Sequence, residues 1–320
     1  MRTMKKFLVS AVVFLTLALF SIEAGAEKKI GVLLFSEEGR YIEATKGFMD
    51  TLKERGFGEP QTKIIIENAG ANKAKVAELV QKFAAAKMDL IFTAGTHATT
   101  AVAREIKDVP IVFSVVYDPV EAGIAKDWKS SGNNTTGTSS KVPMSKLMDS
   151  LKVFAPVKRL AVLYTFGEKN SEAQLKDLQG IQADYGIKVV PVPLTRTEEV
   201  AQLLPVVIRS TDALYVTGSN LVDSQISIIV DMATKGKVIT ITHLDDLVEK
   251  GVLLGVCSNS YSMGRLAGEK AVKILKGVKP SSIPIELLKQ FDVIINLKTA
   301  KAGNFRVPPD FMKTVRRTIK

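Results

Sequence analysis

The chain has 320 residues, which is enough for two domains of ordinary size. Its 44 Lys and Arg residues against 33 Asp and Glu residues give a formal charge of +11, but the bases are scattered along predicted helices, as on a solvated face. With one cysteine, Cys257, and two histidines, an intramolecular disulfide is excluded, and we predict neither a nitrogen–sulfur metal site nor a cofactor.

The first 26 residues have the pattern of an export signal. Arg2, Lys5 and Lys6 give a positive start, residues 7–22 form an apolar core, and Ala24-Gly25-Ala26 is a small-x-small cleavage site. The apolar run is short for a membrane span. We therefore expect cleavage after Ala26, release into a periplasm, and no nucleic-acid partner.

Strand and helix patterns alternate through the first part of the mature chain. We predict strands at 29–35, 63–67, 89–94 and 110–116, and helices at 40–55 and 72–87, the second one capped by Asn72. Continuous apolar strands that alternate with helices indicate parallel sheets covered on both faces.

Residues 88–137 contain two strands that each end in a polar turn. After the first strand, Gly95 is followed by Thr96, which we predict to be the N-cap of the next helix. After the second strand comes Tyr117-Asp118-Pro119. Ligands bind at the carboxyl ends of parallel strands. The first turn suits an anion and the second suits a cation, so a small zwitterion would satisfy both.

The second part of the chain repeats the pattern. It begins with a helix at 144–154, continues with strands at 158–164, 188–192, 212–217, 237–242 and 252–257, and includes helices at 171–185 and 198–209. The basic tail at 313–320 is interpreted as a solvated terminal helix. The periodicity therefore favours an α/β fold with two Rossmann-like lobes.

No catalytic motif is present. The chain lacks a G-x-S-x-G elbow, an H-E-x-x-H pair and a P-loop, and its Gly56-Phe57-Gly58 ends a helix instead of following a strand. We therefore expect a protein that is not an enzyme.

Several motifs in the chain resemble a known family. They are G-T-x-A-T from Gly95, V-P-I-V-F-x-x-V-x-D-P-V-x-A-G from Val109, and N-x-T-G before Thr138, followed by YVTGSNLVDS at 215–224 and YSMGRLAGEKAVKIL at 261–275. In this order they resemble the ABC-transporter substrate-binding proteins of the tryptophan and aromatic amino acid type. Many relatives carry Pro at the position of His97, so the role of His97 is left open.

The resemblance implies the type I periplasmic binding protein fold, with two lobes of parallel sheet joined by a hinge of three crossing strands. We expect lobe 1 to contain residues 27–140 and about 257–288. Lobe 2 would then contain residues 141–256 and about 289–320.

A ligand held between such lobes should be contacted by residues at strand ends. In lobe 1, Thr96 with the following N–H groups would hold a carboxylate, and Asp118 would pair with an α-ammonium. In lobe 2, Asn220 is the preferred contact because it lies in a matched segment. The full predicted set is Ser36, Glu37, Thr96, His97, Asp118, Ser139, Tyr164, Glu168, Asn220 and His243.

The resemblance implies a monomeric binding protein that captures an amino acid or a related zwitterion by hinge closure and delivers it to the permease and ATPase of an ABC importer. Three alternatives stay open. They are a sensor that reports its ligand to a membrane receptor, a sugar- or purine-binding variant of the same fold, and an exported enzyme on a two-lobed scaffold.

Overall fold

The computed structural model describes residues 27–320, so the predicted signal at 1–26 lies outside the described residues. The described chain forms two lobes, each built on a mostly parallel sheet with helices on its faces. This confirms the predicted α/β class and the two-lobed architecture. In the described part of the chain, we find no helix with the length and apolar character needed to cross a membrane.

The first lobe contains a six-stranded sheet in the order β11-β5-β4-β3-β1-β2, and its strand pairs are all parallel. Its strands are β1 (Lys28–Leu34), β2 (Thr62–Asn68), β3 (Leu90–Ala94), β4 (Ile111–Val116), β5 (Thr135–Ser139) and β11 (Glu286–Leu287). The helices between its first four strands are α1 (Gly39–Glu54), α2 (Lys73–Ala85) and α3 (Thr96–Glu105).

The second lobe contains a seven-stranded sheet in the order β13-β12-β10-β9-β8-β6-β7, in which only the β10–β12 pair is antiparallel. Its strands are β6 (Arg159–Thr165), β7 (Lys188–Leu194), β8 (Ala213–Val216), β9 (Ile239–Thr242), β10 (Leu254–Cys257), β12 (Asp292–Asn296) and β13 (Arg317–Ile319). Its helices are α4 (Met144–Phe154), α5 (Lys169–Tyr185), α6 (Glu198–Ser210), α7 (Asn220–Ser224), α8 (Ile226–Lys235), α9 (Asp245–Glu249), α11 (Leu297–Ala302) and α12 (Pro309–Thr314).

The chain changes sheets three times. It leaves the first sheet after β5, returns to it after β10 through α10 (Ser260–Leu275), and leaves it again between β11 and β12. The returning helix packs on α1 so closely that a Cβ on Gly264 would lie 1.8 Å from the Ala44 carbonyl oxygen. The lobe boundaries at 140, 257 and 288 stay a prediction.

The local predictions fail at two places. Gly95 precedes α3 with φ 93° and no side-chain cap, and Thr96 is already helical, so the predicted Thr96 cap is wrong. The tail is not a terminal helix, because Arg317–Ile319 forms a strand that pairs with β12 and brings Ile319 against the buried Ile294. The free edge of β12 therefore outweighs the local helical pattern. Asn72 does cap α2, as predicted, by accepting from the N–H groups of Ala74 and Lys75.

Candidate functional site

The carboxyl ends of the two sheets face each other across a narrow cleft floor. From the first lobe it is lined by residues that follow or end β1, β3, β4 and β5, and from the second lobe by residues that follow β6, β8 and β9. The lining residues are Arg40, Tyr41, Thr96, Val115, Tyr117, Ser140, Asn170, Gln174, Gly218, His243 and Leu244. The free volume of about 10 Å³ is close to that of a single water molecule.

A larger cavity of about 680 Å³ adjoins the cleft floor, and Thr96 and Asn170 line both spaces. We call it the inter-lobe cavity, because the first lobe contributes α2, α3 and Phe35 while the second lobe contributes Gly167, Lys169 and Asn170. Its volume lies within the range of about 300–1,000 Å³ that is typical of small-molecule sites.

One wall of the inter-lobe cavity is aromatic. Phe35 stacks on His97 with ring centroids 4.8 Å apart and an interplanar angle of 23°. Burial lowers the pKa of His97 to about 4, and the nearby Lys73 adds to this shift, so the imidazole is neutral at pH 7. The wall therefore presents two flat, uncharged rings, which suit an apolar or aromatic ligand.

The backbone is irregular where β4 enters the cleft floor. Val115 has φ 57°, which is rare for a β-branched residue, and the register of β4 against β5 shifts between Phe113 and Val116. This bulge changes the direction of the strand just before Tyr117, whose hydroxyl donates to Asp177 Oδ2 of the second lobe at 2.7 Å. Strained backbone of this kind is concentrated at functional sites.

A buried arginine joins the lobes beside the cleft floor. Arg40, at the start of α1, is 2 % exposed, and its Nη1 lies 2.7 Å from Asp223 Oδ2 and 2.8 Å from Asp246 Oδ2, both in the second lobe. Lys250 Nζ lies 2.5 Å from the other Asp223 oxygen. Burial alone would lower the pKa of Arg40, but the two carboxylates raise it well above its ordinary value, so the guanidinium stays charged.

The pKa values of the two carboxylates that face Arg40 are shifted in opposite directions. Burial would raise the pKa of Asp223, but Arg40 and Lys250 together lower it below its ordinary value. Asp246 has no second cation within ion-pair distance, and burial raises its pKa. Arg40 is therefore held by two carboxylates of the second lobe, of which Asp223 also pairs with Lys250.

Five of the predicted residues lie in or next to the two spaces at the cleft. Thr96 and His97 line the inter-lobe cavity, and the Asn220 amide nitrogen lies 3.5 Å from His97 Nδ1 across the lobes. His243 lines the cleft floor with its Nδ1 2.7 Å from the Tyr215 hydroxyl, and burial lowers its pKa to about 3. Glu168 is buried at the start of α5, between cavity-lining Gly167 and Lys169, although neither Glu168 nor Asn220 is itself a lining residue.

The other predicted residues do not line either space. Asp118 accepts from the N–H groups of Val120 and Glu121 and pairs with Lys141 Nζ at 2.9 Å, so it stabilises its own turn. Ser139 donates to the Tyr117 carbonyl oxygen at 2.5 Å.

Three further predicted residues also lie away from both spaces. Ser36 is buried after β1, while Glu37 is exposed and contacts Asn68 at 3.4 Å. Tyr164 is half-buried against the apolar core of the second lobe. These placements leave Ser36, Glu37 and Tyr164 without a direct contact to the cavities.

The sequence interpretation missed Phe35, Arg40 and Gln174. Phe35 was assigned to the end of a buried strand, and Arg40 to the start of an amphipathic helix. An arginine in the first turn of a helix, where the macrodipole disfavours a cation, was an available sign of a specific partner. The partners Asp223 and Asp246 are 183 and 206 residues away in sequence, so no local pattern could identify them.

Comparison with known proteins agrees with this geometry. Residues 29–318 match the family model described as ABC transporter substrate binding protein. A tyrosine-binding protein of Clostridioides difficile is 31 % identical over 279 residues, which cover 86 % of this chain and 81 % of that protein.

Two solved structures are similar over nearly the whole chain. The ABC domain from Streptococcus pneumonia in complex with L-Trp has a TM-score of 0.87 at 28 % identity, covering 92 % of this chain and 100 % of that one. A ligand-free, open substrate-binding protein with adhesive properties from Clostridium difficile has a TM-score of 0.73 at 33 % identity, with the same coverage of both chains.

The chain is more similar in structure to the L-Trp complex than to the ligand-free, open protein, although its sequence identity to the L-Trp complex is lower. The buried Arg40 bridge and the 10 Å³ cleft floor agree with a closed arrangement. The family model covers nearly all of the described residues. The two-lobed fold with a cleft at the strand ends is shared with the two solved structures. The chain belongs to the ABC transporter substrate-binding protein family.

Proposed function

We propose that the protein captures a small zwitterionic ligand, an L-amino acid, in the inter-lobe cavity and delivers it to the permease and ATPase of an ABC importer. The observation that carries the proposal is the 680 Å³ cavity, which is walled by both lobes and reached by the N-terminus of α3. A ligand that contacts both walls favours the closed arrangement, so binding and closure are coupled.

The aromatic wall supports an aromatic side chain on the ligand. The stacked rings of Phe35 and His97 offer a flat surface, and Val76, Val80 and Ala101 add apolar contacts in the same cavity. The relatives named above are described as binding tyrosine and as a complex with L-Trp. We therefore propose tyrosine or tryptophan as the first candidates.

The carboxylate of the ligand would lie at the N-terminus of α3. Thr96 and His97 line the cavity there, and the first N–H groups of a helix lack partners within the helix. The pattern of residues 1–26 supports export and removal of a signal, so we propose that the mature protein acts outside the cytoplasm.

A thermal-shift screen of the mature protein tests the proposal. The protein is refolded to remove co-purified ligand and then heated with amino acids, short peptides, sugars and purines. A ligand at about 100 times its Kd should add roughly 2.7 kcal/mol to the free energy of unfolding, which raises Tm by a few degrees. Stabilisation by sugars or purines alone would contradict the amino acid proposal.

A further inference from the structure

The carboxylate predicted to receive the ligand's ammonium is already fully engaged. Asp118 accepts from two backbone N–H groups at 3.0 and 3.1 Å and from Lys141 at 2.9 Å. A second cation would have to displace Lys141. An ammonium receptor must therefore be sought elsewhere around the cavity.

Three acceptor atoms on the turns after β6 and β8 of the second lobe are buried without a hydrogen-bond donor. They are Glu168 Oε2, Asn170 Oδ1 and Asn220 Oδ1. Glu168 is only 7 % exposed, and burial raises the pKa of its carboxyl group, which the Ser219 hydroxyl and the charge of Lys73 only partly offset. Buried acceptors are rarely left unpaired in folded proteins, so these atoms point to a donor that comes from outside the chain.

The three acceptors belong to two adjacent turns at the carboxyl end of the second sheet. Glu168 and Asn170 follow β6, Asn220 follows β8, and these strands pair in parallel. The Asn170 amide nitrogen donates to the Gly218 carbonyl oxygen at 2.7 Å, which joins the two turns. The Asn220 amide nitrogen faces His97 of the first lobe at 3.5 Å, which places this turn against the cavity wall.

We propose that Glu168 is the residue that receives the α-ammonium of the ligand, together with the side-chain oxygens of Asn170 and Asn220. This inference rests on the proposed function and assigns the specificity of the same site. An ammonium group has three donors, which equals the number of unpaired side-chain acceptors on these two turns. A ligand that carries a carboxylate but lacks the ammonium would leave these acceptors unpaired, and the charge of Glu168 would repel it.

The two charged ends of the zwitterion would then contact opposite lobes. The carboxylate lies at the N-terminus of α3 in the first lobe, and the ammonium lies on the turns after β6 and β8 in the second lobe. One ligand then links both lobes through charge-assisted hydrogen bonds.

The test compares L-tyrosine with its analogue that lacks the amino group, 3-(4-hydroxyphenyl)propionate, by calorimetric titration. Wild-type protein should prefer the amino acid by about 100-fold or more, because the analogue leaves a buried charge unpaired. Glu168→Gln, which keeps the shape and removes the charge, should reduce this preference to about tenfold or less.

Two further variants complete the test. Glu168→Asp retains the charge on a shorter side chain and should keep part of the preference for the amino acid. It replaces Glu168→Gln in the comparison if the Gln variant does not fold. Glu121→Gln is the matched control, because it removes a carboxylate that is exposed and already paired with Lys176, whereas Glu168 is buried with an unpaired oxygen. It should leave the preference unchanged.

The outcomes separate the two proposals. If wild-type protein binds no amino acid, the proposed function fails and the ammonium site fails with it. If wild-type protein prefers the amino acid and Glu168→Gln preserves that preference, only the assignment of Glu168 is overturned. Loss of the preference in Asp118→Asn, with Glu168→Gln unaffected, would return the role to Asp118.

Discussion

Burial determines the ionisation of His243, which is 1 % exposed at the cleft floor and bonded to the Tyr215 hydroxyl. Its pKa is lowered to about 3 by burial, with the charge of Arg40 acting in the same direction. The unfolded chain therefore binds a proton near pH 6.5 that the folded chain does not. The contribution to stability is full above pH 6.5 and is lost as the pH falls from there toward 3.

The lowered pKa of His243 predicts a measurable pH dependence of the free energy of unfolding. Between pH 7.5 and pH 5.5, His243 should lower the free energy of unfolding by about 1 kcal/mol. His97, with a pKa of about 4, should act in the same direction. Thermal melts at both pH values should show a smaller loss of Tm in His243→Gln than in wild type. An equal loss in both proteins would contradict the assigned burial effect.

Asp118 is expected to be important for stability and not for ligand contact. Asp118→Ala removes the acceptor of two turn N–H groups and one partner of Lys141, so the free energy of unfolding should fall by about 2 kcal/mol. Urea denaturation measures this loss, and titration of the folded variant should show little change in affinity for an amino acid. A large loss of affinity with unchanged stability would contradict this role.

The sequence located the cleft at strand ends, but it did not distinguish residues that face the cavity from residues that complete their own turns. Thr96 and Asp118 both follow a strand, yet Thr96 lines the cavity while Asp118 pairs with Lys141. Lys141 is 23 residues away, so the pairing depends on the tertiary fold. Local patterns identify which residues are at an edge, and packing decides which of them stay free to bind.

The helices α1 and α10 show how tightly two elements are packed in the first lobe. A Cβ on Gly264 would lie 1.8 Å from the Ala44 carbonyl oxygen, and one on Gly47 would lie 2.1 Å from the Tyr261 carbonyl oxygen. The atoms in the way are backbone atoms, which cannot rotate aside. The glycines are therefore required by helix packing, because both φ values are ordinary.

Gly264→Ala should force the helices apart and cost about 2 to 3 kcal/mol of stability. Gly180→Ala is the matched control, because Gly180 lies inside α5 with no atom within 4 Å of its added Cβ. That control should instead gain about 0.5 to 1 kcal/mol from the higher helix propensity of alanine. Denaturant unfolding of the two variants checks the pair, and a neutral Gly264→Ala would contradict the close packing.

At the level of elements, the long periodic segments were predictable, with bounds that differ by one or two residues. The strand predicted at 158–164 is β6, Arg159–Thr165, and the helix predicted at 144–154 is α4. The short helices α7 and α9 were not predicted, because five residues carry too little periodicity. The strand β13 was missed because it forms by pairing with the open edge of β12, which the local sequence does not reveal.

At the scale of the whole molecule, the Arg40 bridge should favour the closed arrangement. Arg40→Met leaves Asp223 and Asp246 facing each other without their shared cation, a situation that costs about 3 to 5 kcal/mol in buried networks. The cost falls only on the closed form, so the open form should gain population. Small-angle scattering should show a larger radius of gyration, and amino acid affinity should fall by about tenfold or more.

Arg55→Met provides the control for this variant. Arg55 directly follows α1 and pairs with Glu269 of α10 at 2.7 Å, but its side chain is 54 % exposed and the pair lies within the first lobe. A surface ion pair of this kind contributes little to stability. The control should keep the wild-type radius of gyration and affinity, and equal opening in both variants would contradict the bridge.

The most direct test is a crystal structure of the mature protein with a bound aromatic L-amino acid from the thermal-shift screen. We expect closed lobes with the ligand carboxylate at the N-terminus of α3, the ammonium within hydrogen-bond distance of Glu168, and the side chain against Phe35 and His97. A ligand bound outside the inter-lobe cavity, or one whose ammonium contacts Asp118 instead of Glu168, would contradict this expectation.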